Sequence, residues 1–364
     1  MPRHVLLLAE FRASKGLFPT PCEGEAPATE VSLASRSVLV TGGAGFIGSH
    51  IVEDLVATGH RVTVFDNFSS GLRENLATAN GEVEIVTGNI LDREALIRAA
   101  RGKNVISHQA AQLEITKCMD DPVGDLQTNL IGTLNVLEAA REAGVERLIN
   151  ASSACIYGQA VDPPSDEDRG PHNPNWSYGA SKLAAEKYAQ VFSNDYGFPV
   201  FSLRYGIIYG PREWYGRVLT IFLKRALDGK APVIFGKGEQ LRDFTYVSEV
   251  VNVHRACMES TLPGATSFNV GTGIATSVAA LADLVCEVTG KGLKPAHEDV
   301  APGERSAIVD GRLRLPSELG VMQLSPVKTE RLLGVKPATA LRDGLALEWE
   351  WLKAHPERWT EMHY

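Results

Sequence analysis

Apolar and polar positions follow two rhythms along most of the chain. Val38-Leu39-Val40 is a short unbroken apolar run, the pattern of a strand buried on both faces. A glycine-rich stretch follows, and from Phe46 to Thr58 apolar residues recur at helical spacing. Arg61 to Asp66 reads as the next strand, with Val62, Val64 and Phe65 apolar. Similar strands are predicted at Val83–Val86, Asn104–Ser107, Arg147–Ala151 and Val200–Leu203, and helices at Asp125–Ala143 and Tyr178–Asn194. Regular alternation of strand and helix predicts an α/β chain built on a parallel sheet with helices on both faces.

After Tyr209 the alternation loosens. Pro211, Pro232, Gly236, Gly238, Pro263 and Gly264 divide shorter elements, among them a predicted strand at Arg242–Val247 and a helix at Ser248–Glu259. The pattern therefore predicts a doubly wound, Rossmann-type domain over 37–204, to which 243–262 return. A smaller mixed α/β domain for substrate is expected over 205–242 and 263–352, with a tail at 353–364. Residues 1–36, punctuated by Pro19, Pro21, Gly24 and Pro27, keep no periodicity and read as an irregular extension.

Composition adds exclusions. The 364 residues suffice for two domains, and 44% hydrophobic with 22% charged residues is ordinary for a globular chain that needs no disulfide staple. A net charge of −8 argues against nucleic acid or an anionic membrane as partner, but local basic residues can still hold a small anion. Cys22, Cys118, Cys155, Cys257 and Cys286 are odd in number and never form CxxC, so they read as unpaired thiols in a reducing compartment, with no metal site. The apolar run Val5–Ala9 stops at Glu10, too short for a signal peptide or a membrane span. A cytoplasmic location is expected.

Thr41-Gly42-Gly43-Ala44-Gly45-Phe46-Ile47-Gly48 lies between a predicted strand and a predicted helix. Gly42 permits a tight turn, Gly45 lets backbone approach a pyrophosphate, and Gly48 lets helix pack on strand. The helix N-terminus offers free N–H groups to phosphate. Asp66 ends the second strand, where its carboxylate can accept ribose hydroxyls and repel a 2′-phosphate, so NAD is expected rather than NADP. Asp92 suits either an adenine contact or a helix N-cap.

Tyr178-Gly179-Ala180-Ser181-Lys182 begins a predicted helix, and residues four apart share a face. An ammonium about 4 Å from a phenol, at an effective dielectric near 20, is worth up to ~4 kcal/mol, enough to draw a pKa of about 10 towards 7. Such a phenol exchanges protons with a sugar hydroxyl near neutral pH. Ser152 and Ser153 sit at a predicted strand end, where parallel sheets place ligand-facing groups.

With these pieces the chain resembles the extended short-chain dehydrogenase/reductase family, in particular its UDP-glucose 4-epimerase group. The resemblance rests on TGGAGFIGSH from Thr41, DNFSSG from Asp66, HQAAQ from His108, NLIGTLNVLEAA from Asn129, SSACIYG from Ser152, YGASK from Tyr178, LRYGIIYGPR from Leu203 and RDFTYV from Arg242, in family order over 37–350. It implies an NAD-dependent epimerase that oxidises a nucleotide-linked sugar transiently, at C4, and reduces it again without net redox. Ser153, Tyr178 and Lys182 are implied as catalytic. Gly42, Gly45, Phe46, Ile47, Gly48, Asp66, Asn67, Ser69, Gly71, Asn89, Ile90, Gln109, Ala110, Ala111, Asn129, Ala151, Tyr178, Lys182 and Tyr205 are implied at the cofactor. Gln112, Glu114, Ser153, Ala154, Arg242 and Arg305 are implied at a nucleoside-diphosphate sugar. His108 is expected as a packed residue beneath the cofactor. The helices near 125–143 and 178–196 imply a homodimer joined through a four-helix bundle.

The chain departs from the family at defined places. Ala154-Cys155 stand where the dehydratases carry Asp-Glu, which argues against dehydration and decarboxylation. Ile207 replaces an asparagine that binds the substrate diphosphate, and its side chain has no hydrogen-bond donor. Glu114 replaces a small polar residue, and 311–323 read as an insertion able to reshape the pocket. Two other readings compete: a net oxidoreductase that releases NADH, and a dinucleotide sensor without turnover, for which the Ser153, Tyr178, Lys182 set would be superfluous.

Overall fold

Seven parallel strands form one sheet in the order β3-β2-β1-β4-β5-β6-β11. They are β1 (Ser37–Thr41), β2 (Arg61–Asp66), β3 (Val83–Thr87), β4 (Val105–His108), β5 (Arg147–Ser153), β6 (Val200–Tyr205) and β11 (Ala265–Val270). This computed structural model describes residues 35–361 apart from Asn80, Gly170, Pro171, Trp214 and Asp310. The extension expected at 1–36 lies, up to Ala34, outside the described residues.

Every residue of β1, β4 and β6 is buried, as helices on both faces of a parallel sheet require. The helix Phe46–Ala57 turns Ile51, Val52 and Leu55 to the sheet, and Ser177–Tyr196 turns Ala185, Ala189 and Phe192. That second helix ends at Gly197, whose φ of 76° closes it in the left-handed conformation. The helix predicted at 125–143 is a succession: Pro122–Leu126, a π-helical turn at Gln127–Ile131, then Gly132–Ala143. The strand order reverses between β1 and β4, so a crevice opens at the carboxyl ends of these two strands.

Two expectations need correction. The return to the sheet does not stop at 262, because β11 pairs with β6 from Ala265↔Val200 to Val270↔Tyr205. The strand expected at Arg242–Val247 is two, β9 (Leu241–Arg242) and β10 (Phe244–Tyr246), in different sheets. The break falls on buried Asp243, whose carboxylate accepts N–H groups of Thr272, Gly273 and Leu324 and the Thr272 hydroxyl. Satisfying that buried charge takes precedence over one straight strand.

The smaller lobe is built from short pieces. β10 pairs with β7 (Ile207–Tyr209), and β8 (Val233–Phe235) pairs with β13 (Ala296–Glu298). Its core joins Leu219, Phe222, Leu281, Val285, Trp349 and Leu352 from three helices. The expected tail holds the end of the helix Leu341–Ala354 and a 3₁₀ segment at Pro356–Glu361.

Candidate active site

The residues expected at a dinucleotide gather along the carboxyl edge of the sheet. The glycine turn leaves β1, and each glycine has its own reason. Gly42 has φ 70°, and a Cβ there would lie 2.5 Å from the Ala110 nitrogen. A Cβ on Gly48 would lie 2.1 Å from the Gly42 oxygen. Gly45 differs: its φ of −74° suits any residue, and a Cβ would meet only the Gly42 oxygen, at 3.2 Å. Internal packing therefore asks little of Gly45, and the open space beside it is what a pyrophosphate would occupy.

Asp66 is buried at the end of β2. Its carboxylate accepts the Ala44 N–H of the glycine turn at 2.9 Å and the Phe68 N–H at 2.8 Å. Burial raises its pKa, and these two bonds pull it back. Asn67 accepts the Ser69 N–H, Gly71 packs on Ala44, and Asn89 accepts the Leu91 N–H beside buried Ile90. Gln109 accepts the Tyr205 hydroxyl at 2.9 Å, with half-buried Ala110 and Ala111 next to it. Asp92, left open from the sequence, is an N-cap that accepts from Ala95. The Asn129 amide is engaged with both main-chain groups of Gln112 and with Asp125, so it splints the chain leaving β4. His108 is packed between Thr41 and Thr133, and burial pushes it down to about 3, an uncharged imidazole.

At the end of β5 the hydroxyl of Ser153 accepts the Cys155 N–H at 3.1 Å and lines the same cavity as Tyr178. Lys182 donates to the Ala151 carbonyl at 2.9 Å, and its ammonium lies 6.0 Å from the centre of the Tyr178 ring. Burial lowers Lys182 to about 8. The expectation of a Tyr178 phenol made acidic by Lys182 is corrected: burial dominates and raises its pKa. Arg217 and the Ser153 hydroxyl act in the opposite direction. The shared helical face is as expected, but removal from water outweighs a cation turned towards a carbonyl.

Two cavities meet at this pair. The larger, about 250 Å³, is lined by Ser153, Cys155 and Tyr178, by apolar side chains such as Ile207 and Phe244, and by Arg217, Arg242, Arg312 and Arg314. Against the four arginines stands one carboxylate, Glu318, 3.7 Å from Arg242 and 3.1 Å from Arg314. The smaller, about 70 Å³, is lined by Phe46, Ile47, Ser153, Tyr178 and Tyr205 and by Glu213 and Arg217.

Of the residues expected at the substrate, Ser153 and Arg242 line the larger cavity. Four others do not. Leu113 and Ile115 form the wall where Gln112 and Glu114 were expected, because successive residues of an extended segment point to opposite sides. Ala154 packs with Ile156, Tyr157 and Leu324, leaving Cys155 to face the cavity. Arg305 is exposed and donates to the Gly311 carbonyl, outside the lining. The sequence reading missed Arg217 and Glu213, which no motif marks. Arg312, Arg314 and Glu318 were signalled only as part of the insertion at 311–323.

Among the described residues no group of acidic, histidine or cysteine side chains could hold a metal ion, and no helix is long and apolar enough to cross a membrane.

A family model described as the NAD dependent epimerase/dehydratase family matches residues 38–271. A Methanocaldococcus jannaschii protein named putative UDP-glucose 4-epimerase is 34% identical over 322 residues, spanning 87% of this chain and 98% of that protein. The crystal structure of UDP-glucose 4-epimerase from Thermotoga maritima, solved with UDP-glucose, has a TM-score of 0.78 at 35% identity and covers 88% of this chain and 99% of its own. The Thermus thermophilus UDP-glucose 4-epimerase, solved with NAD, has a TM-score of 0.77 at 36% identity, covering 87% and 99%.

Proposed function

Because the chain belongs to the NAD-dependent epimerase/dehydratase family, we propose that it inverts C4 of a nucleoside-diphosphate sugar, with Ser153, Tyr178 and Lys182 as its catalytic residues. It is an NAD-dependent nucleotide-sugar epimerase with a Rossmann-type fold. One observation carries the assignment: the Ser153–Tyr178 pair opens into the same cavity as four arginines, in a chain that is acidic as a whole. That local excess of positive charge favours a ligand with a diphosphate, and bidentate guanidinium groups suit phosphate oxygens.

NAD, when bound, supplies the acceptance and return of a hydride. The chain's own part is to hold the sugar and move a proton. Tyr178 would take the proton of the C4 hydroxyl as a phenolate and later return it. The phenol is neutral in the protein alone, and the Lys182 ammonium and the positive charge of bound NAD would favour its deprotonated form. Ser153, which lines the cavity with the phenol, would orient that hydroxyl. Lys182, anchored on Ala151, supplies a buried cation beside the ring. Phe46, Ile47, Leu113 and Tyr205 wall the smaller cavity and keep water away from the reacting carbon. Gly42, Gly45, Gly48 and Asp66 would hold the dinucleotide, and Arg242 the diphosphate.

Incubation with UDP-glucose and, separately, with UDP-glucuronate tests the reading. The C4 epimer of at least one of them should accumulate to equilibrium with no sustained rise at the NADH band. A steady rise would make the protein a net oxidoreductase instead.

A homodimer belongs to the same proposal. Val123, Leu126 and Ile131 on one helical stretch and Tyr188, Val191 and Tyr196 on the other are exposed apolar residues, and a second copy would cover them. Cys118, Cys155 and Cys257 are buried free thiols, which suits a reducing compartment such as the cytoplasm.

A further inference from the structure

The arginines of the two cavities divide into separate groups. Arg242, Arg312 and Arg314 line only the larger one, and Arg242 and Arg314 share Glu318. Arg217 lines both, so it reaches the chamber that holds Ser153, Tyr178, Phe46 and Ile47. Its Nη1 donates to the Ile208 carbonyl at 2.8 Å, which fixes the guanidinium on β7. Beside it, 3.8 Å away, lies Oε1 of Glu213.

That oxygen is unusual. Glu213 is 6% exposed, its Oε2 accepts the Thr220 hydroxyl at 2.7 Å, and its Oε1 has no hydrogen-bond partner among the described residues. Burial raises Glu213 to about 7 against the pull of Arg217 and Thr220, so near neutral pH it is only partly ionised and does not fully neutralise the guanidinium beside it. A fixed guanidinium therefore faces the catalytic end of the site. A cation there is not needed for a neutral hydroxymethyl group, and the diphosphate already has the cations of the larger cavity.

We propose that Arg217, with Glu213 beside it, reads a carboxylate on the sugar itself, so that the substrate is a nucleoside-diphosphate uronic acid rather than a neutral hexose. The assignment rests on the nucleotide-sugar reading above and names the class of sugar. Arg217 is its specificity-determining residue. A carboxylate at C6 lies close to the C4 that Tyr178 serves, whereas the diphosphate at C1 lies across the ring, on the side of Arg242.

Calorimetric titration of the NAD-loaded protein with UDP, UDP-glucose and UDP-glucuronate tests this without requiring turnover. UDP-glucuronate should bind about tenfold or more tightly than UDP-glucose, the strength of a hydrogen bond between charged groups. Arg217→Met should weaken UDP-glucuronate by about 10- to 100-fold and bring the ratio of the two dissociation constants to about one. Equal affinities of the unaltered protein for the two sugars would overturn the proposal whatever the variant does. So would an Arg217→Met variant that loses UDP as strongly as UDP-glucuronate, since the residue would then serve the diphosphate. Failure of the epimerase reading shows elsewhere, as NADH released in the turnover assay.

Discussion

The Lys182 ammonium donates a hydrogen bond to the carbonyl of Ala151, at 2.9 Å, and stands 6.0 Å from the centre of the Tyr178 ring. The lysine is thus an anchored cation, and the phenol it accompanies is buried and neutral in the protein alone. Removing only the phenol oxygen isolates its role. Tyr178→Phe should lose at least ~10²-fold in turnover, the contribution of a positioned acid–base group, while NAD released on denaturation stays stoichiometric. Near-normal turnover in this variant would refute the assignment.

Gly45 and Gly48 predict opposite outcomes for the same change. An added Cβ on Gly48 runs into the Gly42 carbonyl at 2.1 Å, so Gly48→Ala must displace backbone and should cost about 1–3 kcal/mol in urea unfolding. Gly45→Ala meets that carbonyl only at 3.2 Å and should melt close to the unaltered protein. Its defect should appear in NAD affinity, measured by fluorescence titration.

Glu186 and Arg204 form a buried ion pair between a helix and β6, with bonds of 3.0 and 2.8 Å and with Ser152 donating to the same carboxylate. Glu186→Ala leaves the Arg204 charge uncompensated. A loss of roughly 3–5 kcal/mol is expected from urea unfolding. A loss below about 1 kcal/mol, the range of surface pairs, would contradict the burial described.

Glu213 makes stability depend on pH. Its folded pKa is raised from 4.5 to about 7 by burial, so the native state holds a proton that the unfolded chain has released. Stability from this group is full below about pH 4.5 and is lost as pH rises through 7. Glu213→Gln removes its share of that loss and leaves the share of buried Glu348, whose pKa burial and Glu213 also raise. The variant should gain in melting temperature relative to the unaltered protein at pH 8 and lose the gain by pH 5; a constant difference would rule out this titration.

Val191 is 51% exposed on the helix assigned to the subunit contact. Val191→Glu places a charge in that contact and should convert a dimer into a monomer in sedimentation velocity, with unchanged circular dichroism. A monomeric parent protein would discard the four-helix contact.

Local pattern settled the sheet. The strand at Arg61–Asp66 appears with the limits its alternation predicts, and the glycine turn and the Tyr178–Lys182 pair each sit within one short segment. Neighbours in sequence are neighbours in space there, so spacing suffices. The substrate cavity is different, because Leu113, Arg217, Arg242 and Arg314 come from separate segments that only folding brings together. Family likeness placed Arg305 there, but the turn it closes onto Gly311 holds it outside. The break at Asp243 follows from bonds to Thr272, Gly273 and Leu324, which no local periodicity encodes. The ionisation of Tyr178 was decided in the same way: spacing can place a lysine near a phenol, but the balance between charge and lost water depends on everything packed around them.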